Sequence, residues 1–411
     1  MPMRHSACED RQVSPNPAVR KSLPLRTTGF FGLTIAAFLA AAAAPTPLYR
    51  VYQAHYGVSP VLITVVFAAY AIALLTALLF VGSLSDHLGR KPLILAALLI
   101  EMAAMLLFIV AEGPAWLIAA RIVQGVATGI AVASCGAALV DVDRVAGQVV
   151  NAVAPFLGMT AGVLGSSTLV QFGPLPLQLV YALLLAIFAV LAMALGLAVP
   201  ETGLKRPGAW AALRPRIAVP RHIRRTFALI TPINVAIWTL GGFYLSLVPA
   251  LVAAVTGSRA PLTGGAVVGA LMLAGSVTIL VRRTRAAGAN LSFGVLASSL
   301  GIIVVVAGIH LASVPLLILG AVVTGIGFGT SFLGCVGSIV PLAAPDERAA
   351  LLAAFYVQSY LAFSVPAILA GYLAKTVGYA VTADVFGSAI VLASLAGLYG
   401  LRAERQQVVA A

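Results

Sequence analysis

The residues of this 411-residue chain that could do ionic or acid–base chemistry are concentrated at very few places. Glu101 and Arg121 are isolated within long apolar segments, and Glu101 is the only acid near the middle of one. An unpaired cation at the depth of Arg121 would cost about 2.5 to 3.5 kcal/mol in a bilayer. Arg121 therefore needs an internal partner, unless its side chain extends to the outer surface. For Glu101 two interpretations stay open, a pair with Arg121 or a separately protonated, neutral carboxyl.

A second charged segment, GSLSDHLGRKP at residues 82–92, separates two long apolar runs. A short, charged, Gly-flanked connector of this kind is typical of a tight turn at a membrane face. Such a turn puts Asp86 near a helix end and puts Arg90 and Lys91 in the lipid headgroup layer. The alternative interpretation is a turn whose charges only fix the topology.

The sequence contains no nucleotide-binding loop, metal-ligand cluster or catalytic-triad arrangement. We therefore predict that the protein is not an enzyme or an ATP-driven pump and that it uses no metal or cofactor. Its three cysteines, Cys8, Cys135 and Cys335, give no disulfide framework, and two of them lie inside apolar segments.

The elements that must position these residues are transmembrane helices. Hydrophobic residues make up 61% of the chain and charged residues only 9%, whereas about 25% of the residues of soluble domains are charged. A spanning helix needs roughly 20 mostly apolar residues. We predict twelve spans, at residues 28–47, 59–82, 92–112, 115–138, 149–171, 177–199, 227–254, 262–281, 290–311, 314–339, 349–372 and 381–401. The runs are continuously apolar and do not alternate, which indicates helices and excludes a barrel.

The distribution of basic residues predicts the orientation. With both termini in the cytoplasm, all of the 25 Lys and Arg residues fall on the cytoplasmic side except Arg50, Arg121, Arg259 and Lys375. This bias follows the positive-inside rule. The net charge of +13 then belongs to loops that face anionic lipid, and it does not indicate a nucleic-acid partner.

The chain also contains the trace of a duplication. Gly125, Gly129 and Cys135 recur at an offset of 200 as Gly325, Gly329 and Cys335. We predict an all-α polytopic membrane protein with two pseudo-symmetric halves of six helices each. The predicted divisions are a cytoplasmic tail at 1–26, an N-terminal half at 27–201, a basic connector at 202–225, a C-terminal half at 226–402 and a second cytoplasmic tail at 403–411.

Two motifs make the chain resemble the major facilitator superfamily, with a likeness to bacterial drug exporters. In the loop between spans 2 and 3, the family's motif A is matched by Gly82, Leu84, Ser85, Asp86, Gly89, Arg90 and Lys91. In span 4, the family's motif B is matched by Arg121, Gln124, Gly125 and Gly129. The resemblance implies that motif A is a conformational latch whose acid faces the inner end of span 11 in one state. It also implies that Arg121 takes part in proton coupling, with Glu101 as its partner or as a separate proton carrier.

The resemblance implies a central cavity lined by spans 1, 4, 7 and 10 with help from spans 2, 5, 8 and 11. The polar or aromatic candidates for its wall are Tyr70, Asn151, Asn234, Trp238, Tyr356 and Tyr360. The alternative is that these side chains only pack or face lipid. Because few interior Asn or Gln residues are available to hold a sugar, an aromatic wall suits a lipophilic or amphipathic solute better.

The predicted function is secondary transport by alternating access, with export of a small lipophilic or amphipathic compound. Proton coupling stays open, because the family's antiporter motif in span 5 is degraded, with Val163 after Gly162. The alternatives are an uncoupled facilitator or importer of a small metabolite, and a transporter-like receptor or scaffold. The expected location is a bacterial cytoplasmic membrane, and the expected partners are lipid, a small solute and protons, with the protein a monomer.

Overall fold

The computed structural model describes residues 19–203 and 214–410, and within these ranges the regular structure is entirely helical. Twelve helical segments there are long and apolar enough to cross a membrane, as predicted. Span 1 consists of the helices Val19–Ala43 and Pro45–Tyr56, and the others are Pro60–Val81, Arg90–Ile109, Pro114–Val142, Arg144–Phe172, Leu179–Ala198, Arg224–Thr256, Pro261–Arg282, Ala287–His310, Val314–Ile339, Arg348–Val377 and Tyr379–Ala410. A short helix, Ser85–Leu88, and a 3₁₀ turn, Val340–Leu342, lie in connections.

The observed ends of the outermost helices differ from the predicted ones. The first helix begins at Val19, inside the predicted N-terminal tail, and the last helix continues to Ala410, through most of the predicted C-terminal tail. Both extensions are polar, so a hydropathy pattern ends before the helix does. Residues 1–18 of the tail and 204–213 of the connector lie outside the described residues.

The connections alternate between two ends of the helical bundle. The basic end carries the connections at 82–89, 143, 283–286 and 340–347 and the described residues 199–203 and 214–223, and the opposite end carries those at 57–59, 110–113, 173–178, 257–260, 311–313 and 378. In the predicted orientation the basic end is cytoplasmic. Residues 214–223 of the connector pack on the C-terminal half, where Ile223 is fully buried.

The internal repeat is visible in how spans 4 and 10 pack. A Cβ atom on Gly129 of span 4 would lie 2.6 Å from the Leu74 carbonyl oxygen of span 2, and one on Gly329 of span 10 would lie 2.5 Å from the Gly275 carbonyl oxygen of span 8. Only glycine allows such close approach of two helices. Since span 8 of one half takes the place of span 2 in the other, the offset of 200 residues reflects two halves with the same internal packing.

The two halves meet mainly along two helix pairs, span 2 against span 11 and span 5 against span 8. Span 5 also packs on span 1 through Gly158 and Gly162, whose missing side chains leave room for the backbones of Ala36 and Ala40. Gly165 shares that side of span 5 in the sequence pattern, yet nothing lies within 4 Å of a Cβ placed on it. Gly165 therefore faces away from span 1, whose contact with span 5 continues at Ser166, where Oγ donates to the Ala44 carbonyl oxygen at 2.6 Å.

This difference provides a matched pair of variants. We expect Gly162→Val to destabilise the protein by about 1 to 3 kcal/mol or more, because the added atoms collide with the backbone of span 1. Gly165→Val makes the same change one turn away in open space and should leave the free energy of unfolding nearly unchanged. Reversible unfolding in mixed micelles measures both, and equal losses would show that the span 1 contact does not limit residue size.

Candidate functional site

The loop between spans 2 and 3 is organised around Arg90, which is 8% exposed. Its guanidinium forms ion pairs with Asp86 and with Asp141 at the end of span 4, where Nε and Oδ2 are 2.9 Å apart. Its Nη1 also donates to Ser85 Oγ at 2.7 Å. Gly89 makes the turn possible, since its φ of 102° is a conformation that side-chain-bearing residues rarely adopt. The loop therefore ties the start of span 3 to spans 2 and 4.

Glu201, just after span 6, caps the start of span 3. Its two carboxylate oxygens accept hydrogen bonds from the backbone N–H groups of Arg90, at 2.8 Å, and Lys91, at 3.1 Å. These N–H groups have no partner within the helix, and the helix N-terminus favours a negative charge. Burial raises the pKa of the Glu201 carboxyl, but hydrogen bonds from the backbone of Gly203, Arg90, Lys91 and Thr202 outweigh burial and hold this pKa below its ordinary value.

The capping role of Glu201 predicts a dependence of stability on pH. A carboxyl whose pKa is lower in the folded state stabilises the fold above its unfolded pKa and loses that effect as the pH falls through the folded pKa. We expect Glu201→Gln to lower the midpoint of thermal unfolding at neutral pH and to reduce the further loss on acidification from about pH 7 to about pH 4. Glu112→Gln, at an exposed position of the opposite end, is the control and should behave as wild type.

The structure therefore gives the motif A residues local partners. Asp86 pairs with Arg90 four residues later, and Lys91 Nζ donates to the carbonyl oxygens of Gly196 and Val199, at 3.0 and 2.9 Å. The family resemblance implies a contact of Asp86 with span 11 in one conformational state, and in this structure the acid is paired with Arg90 of its own half.

Arg121, Gln124 and Glu101 form a polar chain between spans 3 and 4, which we call the relay. Arg121 Nη1 donates to Gln124 Oε1 at 2.6 Å, and Gln124 Nε2 donates to Glu101 Oε1 at 3.1 Å. Arg121 is 1% exposed and Glu101 is fully buried. The sequence left open whether the two charged groups pair directly, and here the amide of Gln124 joins them.

The relay ends at the interruption of span 1. Pro45 and Pro47 lack the backbone N–H that would continue the helix, so span 1 breaks after residue 43. Arg121 Nη1 donates to the Ala42 carbonyl oxygen, just before this break, at 3.0 Å. The same guanidinium lies over the ring of Tyr70 in span 2, with its Cζ 4.3 Å from the ring centroid. Arg121 thus connects spans 1, 2 and 4.

Glu101, at the other end of the relay, has one carboxylate oxygen available to carry a proton. Gln124 uses Oε1 of the carboxyl, while Oε2 is buried without a hydrogen-bond partner among the described residues. A buried ionised carboxylate normally has its oxygens satisfied, whereas a protonated carboxyl needs fewer partners. The geometry therefore permits Glu101 to gain and lose a proton with Arg121 as the compensating charge.

Four of the predicted cavity residues meet at the boundary between the halves, in what we call the aromatic cluster. It contains Trp238, Tyr356, Tyr360 and Phe363 of the C-terminal half and Phe67 and Tyr70 of span 2. The ring centroids of Trp238 and Tyr360 are 5.1 Å apart, and those of Phe67 and Phe363 are 4.8 Å apart. Because Arg121 lies over the ring of Tyr70, the relay and the aromatic cluster are in contact.

The other two predicted cavity residues lie elsewhere or have other partners. Asn234 is fully buried, and its Nδ2 donates to Gln358 Oε1 at 2.9 Å and to Ser359 Oγ at 3.0 Å, which joins spans 7 and 11. Asn151 is exposed, and its amide lies against Gly136 of span 4, towards the basic end. The structure brings neither amide into the aromatic cluster.

Several residues of these sites were not predicted as site residues from the sequence. Asp141, Glu201 and Gln358 hold partners that are far away in the chain, and Phe363 joins the rings of both halves. Glu201 carried a usable signal, since it is the one acid beside a strongly basic connector. Asp141 lies at the end of span 4, where a polar residue is expected whether or not it has a partner, so it gave no signal. Gln358 is uncharged, so its place inside a span did not indicate that it needs a partner.

The chain is similar to one known protein family in sequence and to solved transporter structures in fold. The sequence profile of the Major Facilitator Superfamily matches residues 29–289. The fold is similar to the crystal structure of a mutant of the nucleoside transporter NupG, with a TM-score of 0.74 and 12% identity over 92% of this chain and 100% of that one. It is also similar to that of the human organic anion transporter MFSD10 (TETRAN), with a TM-score of 0.67 and 17% identity over 91% and 99%. A search of curated proteins gave no significant match.

Proposed function

Because the chain belongs to the major facilitator superfamily, we propose that it is a secondary transporter that exports a small lipophilic or amphipathic compound by alternating access. The observation that carries this proposal is the contact between the buried relay and the aromatic cluster at the boundary between the halves. Arg121 of the relay contacts the break in span 1 and the ring of Tyr70, which faces the other half. A change in the protonation of the relay can therefore be coupled to movement of the halves.

Alternating access requires an end that closes and reopens. Among the described residues, two hydrogen bonds join the halves at the opposite end, Arg50 Nη1 to the Ser258 carbonyl oxygen and Leu262 N–H to Gln171 Oε1, both at 3.1 Å. Each bond is single and lies near the bundle surface, so both can break when the halves separate. These bonds hold the opposite end closed, and export requires this end to open.

The lipophilic class of solute is supported by the chemistry of the aromatic cluster. None of its six side chains is charged, and Trp238 and the tyrosines supply its polar atoms. The guanidinium of Arg121 that lies over Tyr70 is already bonded to Gln124 and to the Ala42 carbonyl oxygen. A solute held there would be recognised by apolar contact and few hydrogen bonds.

Proton coupling is proposed at Glu101, on the basis of its burial, its free Oε2 and its link to Arg121. A second candidate function is uncoupled facilitation or import, which is favoured by the degraded antiporter motif at Val163. A receptor that binds without turnover is less well supported, because it would have no use for a charge relay against a broken helix.

Transport into and out of proteoliposomes tests the proposal. Wild-type protein should move lipophilic aromatic solutes from a mixed panel, and a pH gradient should change the rate. A transport rate that does not change with the pH gradient would favour the uncoupled facilitator. Saturable binding of solutes with no flux under any gradient would favour the receptor and would contradict the proposed transport.

We also predict that both termini are cytoplasmic. Membrane-impermeant labelling of single cysteines in intact cells should reach positions 50 and 375 and should miss positions 214 and 285, because the basic end faces the cytoplasm. Labelling of position 214 from outside would show that the basic end faces outward, which contradicts both the predicted orientation and the proposed direction of export.

A further inference from the structure

A cleft of about 240 Å³ lies between the two halves at the opposite end. Span 1 contributes Arg50 and Val51 to its wall, and the turn between spans 7 and 8 contributes Ser258 and Arg259. None of the described residues that line it is Asp or Glu. The cleft therefore brings one cation from each half together, with no carboxylate in its wall to neutralise them.

Arg50 is held across the boundary by its bond to the Ser258 carbonyl oxygen, with Nη1 at 3.1 Å. A guanidinium has five N–H donors in a planar fork, so this one bond leaves donors available. The fork matches the oxygens of a carboxylate or phosphate, which it binds through two parallel hydrogen bonds. Arg259 lies on an exposed turn, where its long side chain suits a second contact.

The start of span 8 adds to the positive character of the cleft. Its helix begins at Pro261, and the N-terminus of a helix carries a partial positive charge, of which the Leu262 N–H already donates to Gln171 Oε1. The hydroxyls of Ser258 and Thr263 belong to the same wall and share a hydrogen bond at 3.0 Å, which leaves one hydroxyl hydrogen to donate elsewhere. Two guanidinium groups with a hydroxyl donor beside them have the chemistry of an oxyanion site, and the positive end of the span 8 helix adds to the attraction.

We propose that this cleft binds the phosphate or carboxylate group of an anion between Arg50 and Arg259. Because the two arginines belong to different halves, the bound anion holds the opposite end closed and shifts the conformational equilibrium towards the state seen here. The cleft is separate from the relay and the aromatic cluster. The proposal therefore places no requirement on the charge of the transported solute.

Binding is tested with the full chain in nanodiscs of neutral phosphatidylcholine, by thermal unfolding in rising inorganic phosphate against chloride of equal ionic strength. The midpoint should rise and then saturate, and at ten times the dissociation constant the folded-to-unfolded ratio should be about 11-fold higher. Arg259→Gln should remove the rise. Arg144→Gln, at an exposed position of the basic end, should keep it. If phosphate does not raise the midpoint of the wild type in these discs, or raises that of Arg259→Gln equally, free phosphate is not the ligand of the cleft.

The source of the anion is then decided by lipid composition. If a lipid headgroup fills the cleft, discs with phosphatidylglycerol should raise the midpoint without phosphate, and Arg259→Gln should again remove the rise. A protein that responds to neither phosphate nor phosphatidylglycerol in an Arg259-dependent way overturns the proposal. Spin labels at His55 and Ala254, both exposed near the cleft and outside its wall, test the closing effect. Phosphate should enlarge the population with the shorter distance, and an unchanged distribution would refute it.

Discussion

Arg121→Gln is expected to abolish transport and to destabilise the protein by about 3 to 5 kcal/mol, the cost of removing one partner from a buried charge pair. The variant loses the bond to the Ala42 carbonyl oxygen at the break in span 1 and the contact with Tyr70. It also leaves Glu101 buried without a compensating cation. Arg144→Gln removes an exposed arginine of the same half and should change neither quantity.

A double-mutant cycle separates the pair from two independent residues. Glu101→Gln alone leaves the buried Arg121 without a compensating carboxylate. Glu101→Gln together with Arg121→Gln leaves a neutral relay in which amides can still bond to Gln124. We expect the double variant to recover most of the lost stability and none of the transport. Unfolding in detergent and flux in proteoliposomes measure the two effects.

The role of Gln124 follows from its place between the charges. Gln124→Leu keeps both charged residues and removes the amide that joins them, so we expect it to lose the pH-gradient response more than it loses stability. Additive destabilisation in the Glu101 and Arg121 cycle would refute coupling within the relay. A pH-gradient response that survives Glu101→Gln would remove this residue from the proton pathway.

The sequence predicted the parts of the architecture that depend on hydropathy and on short-range spacing. The twelve spans, the two halves and the close approach at Gly129 and Gly329 all follow from patterns that a helix must obey wherever it packs. The break in span 1 was harder to place, because Pro45 and Pro47 were expected near the end of a span and instead lie inside a longer one.

The partners of the charged residues could be predicted only in part. The isolation of Arg121 and Glu101 in apolar segments showed that they needed compensation, yet the bridging by Gln124 depends on the rotation of spans 3 and 4 about their axes. Glu201 caps span 3 from more than 100 residues away, which no local pattern encodes. Asn151 and Asn234 were predicted for one cavity because they are polar, but burial and partners separate them.

The second large effect is expected at Asp86. The acid is partly exposed, with 43% of its side-chain surface accessible, and its partner Arg90 keeps Asp141 and Ser85 when Asp86 is lost. Folding and membrane insertion of Asp86→Asn should therefore be close to normal. Transport should fall several-fold or more. A latch that stabilises one state by about 1 to 3 kcal/mol changes the ratio of two nearly balanced states several-fold or more.

The matched control for Asp86→Asn is Asp143→Asn, the same substitution on the same end of the bundle. Asp143 caps span 5 through Oδ1, which accepts from the N–H groups of Val145 and Ala146, each at 2.9 Å. Asparagine caps a helix about as well as aspartate, so this variant should transport normally. If Asp86→Asn transports at the wild-type rate, the charges of the 82–92 loop serve only to fix topology. If both variants fail equally, negative charge at the basic end matters in general, and the particular pair of Asp86 with Arg90 does not.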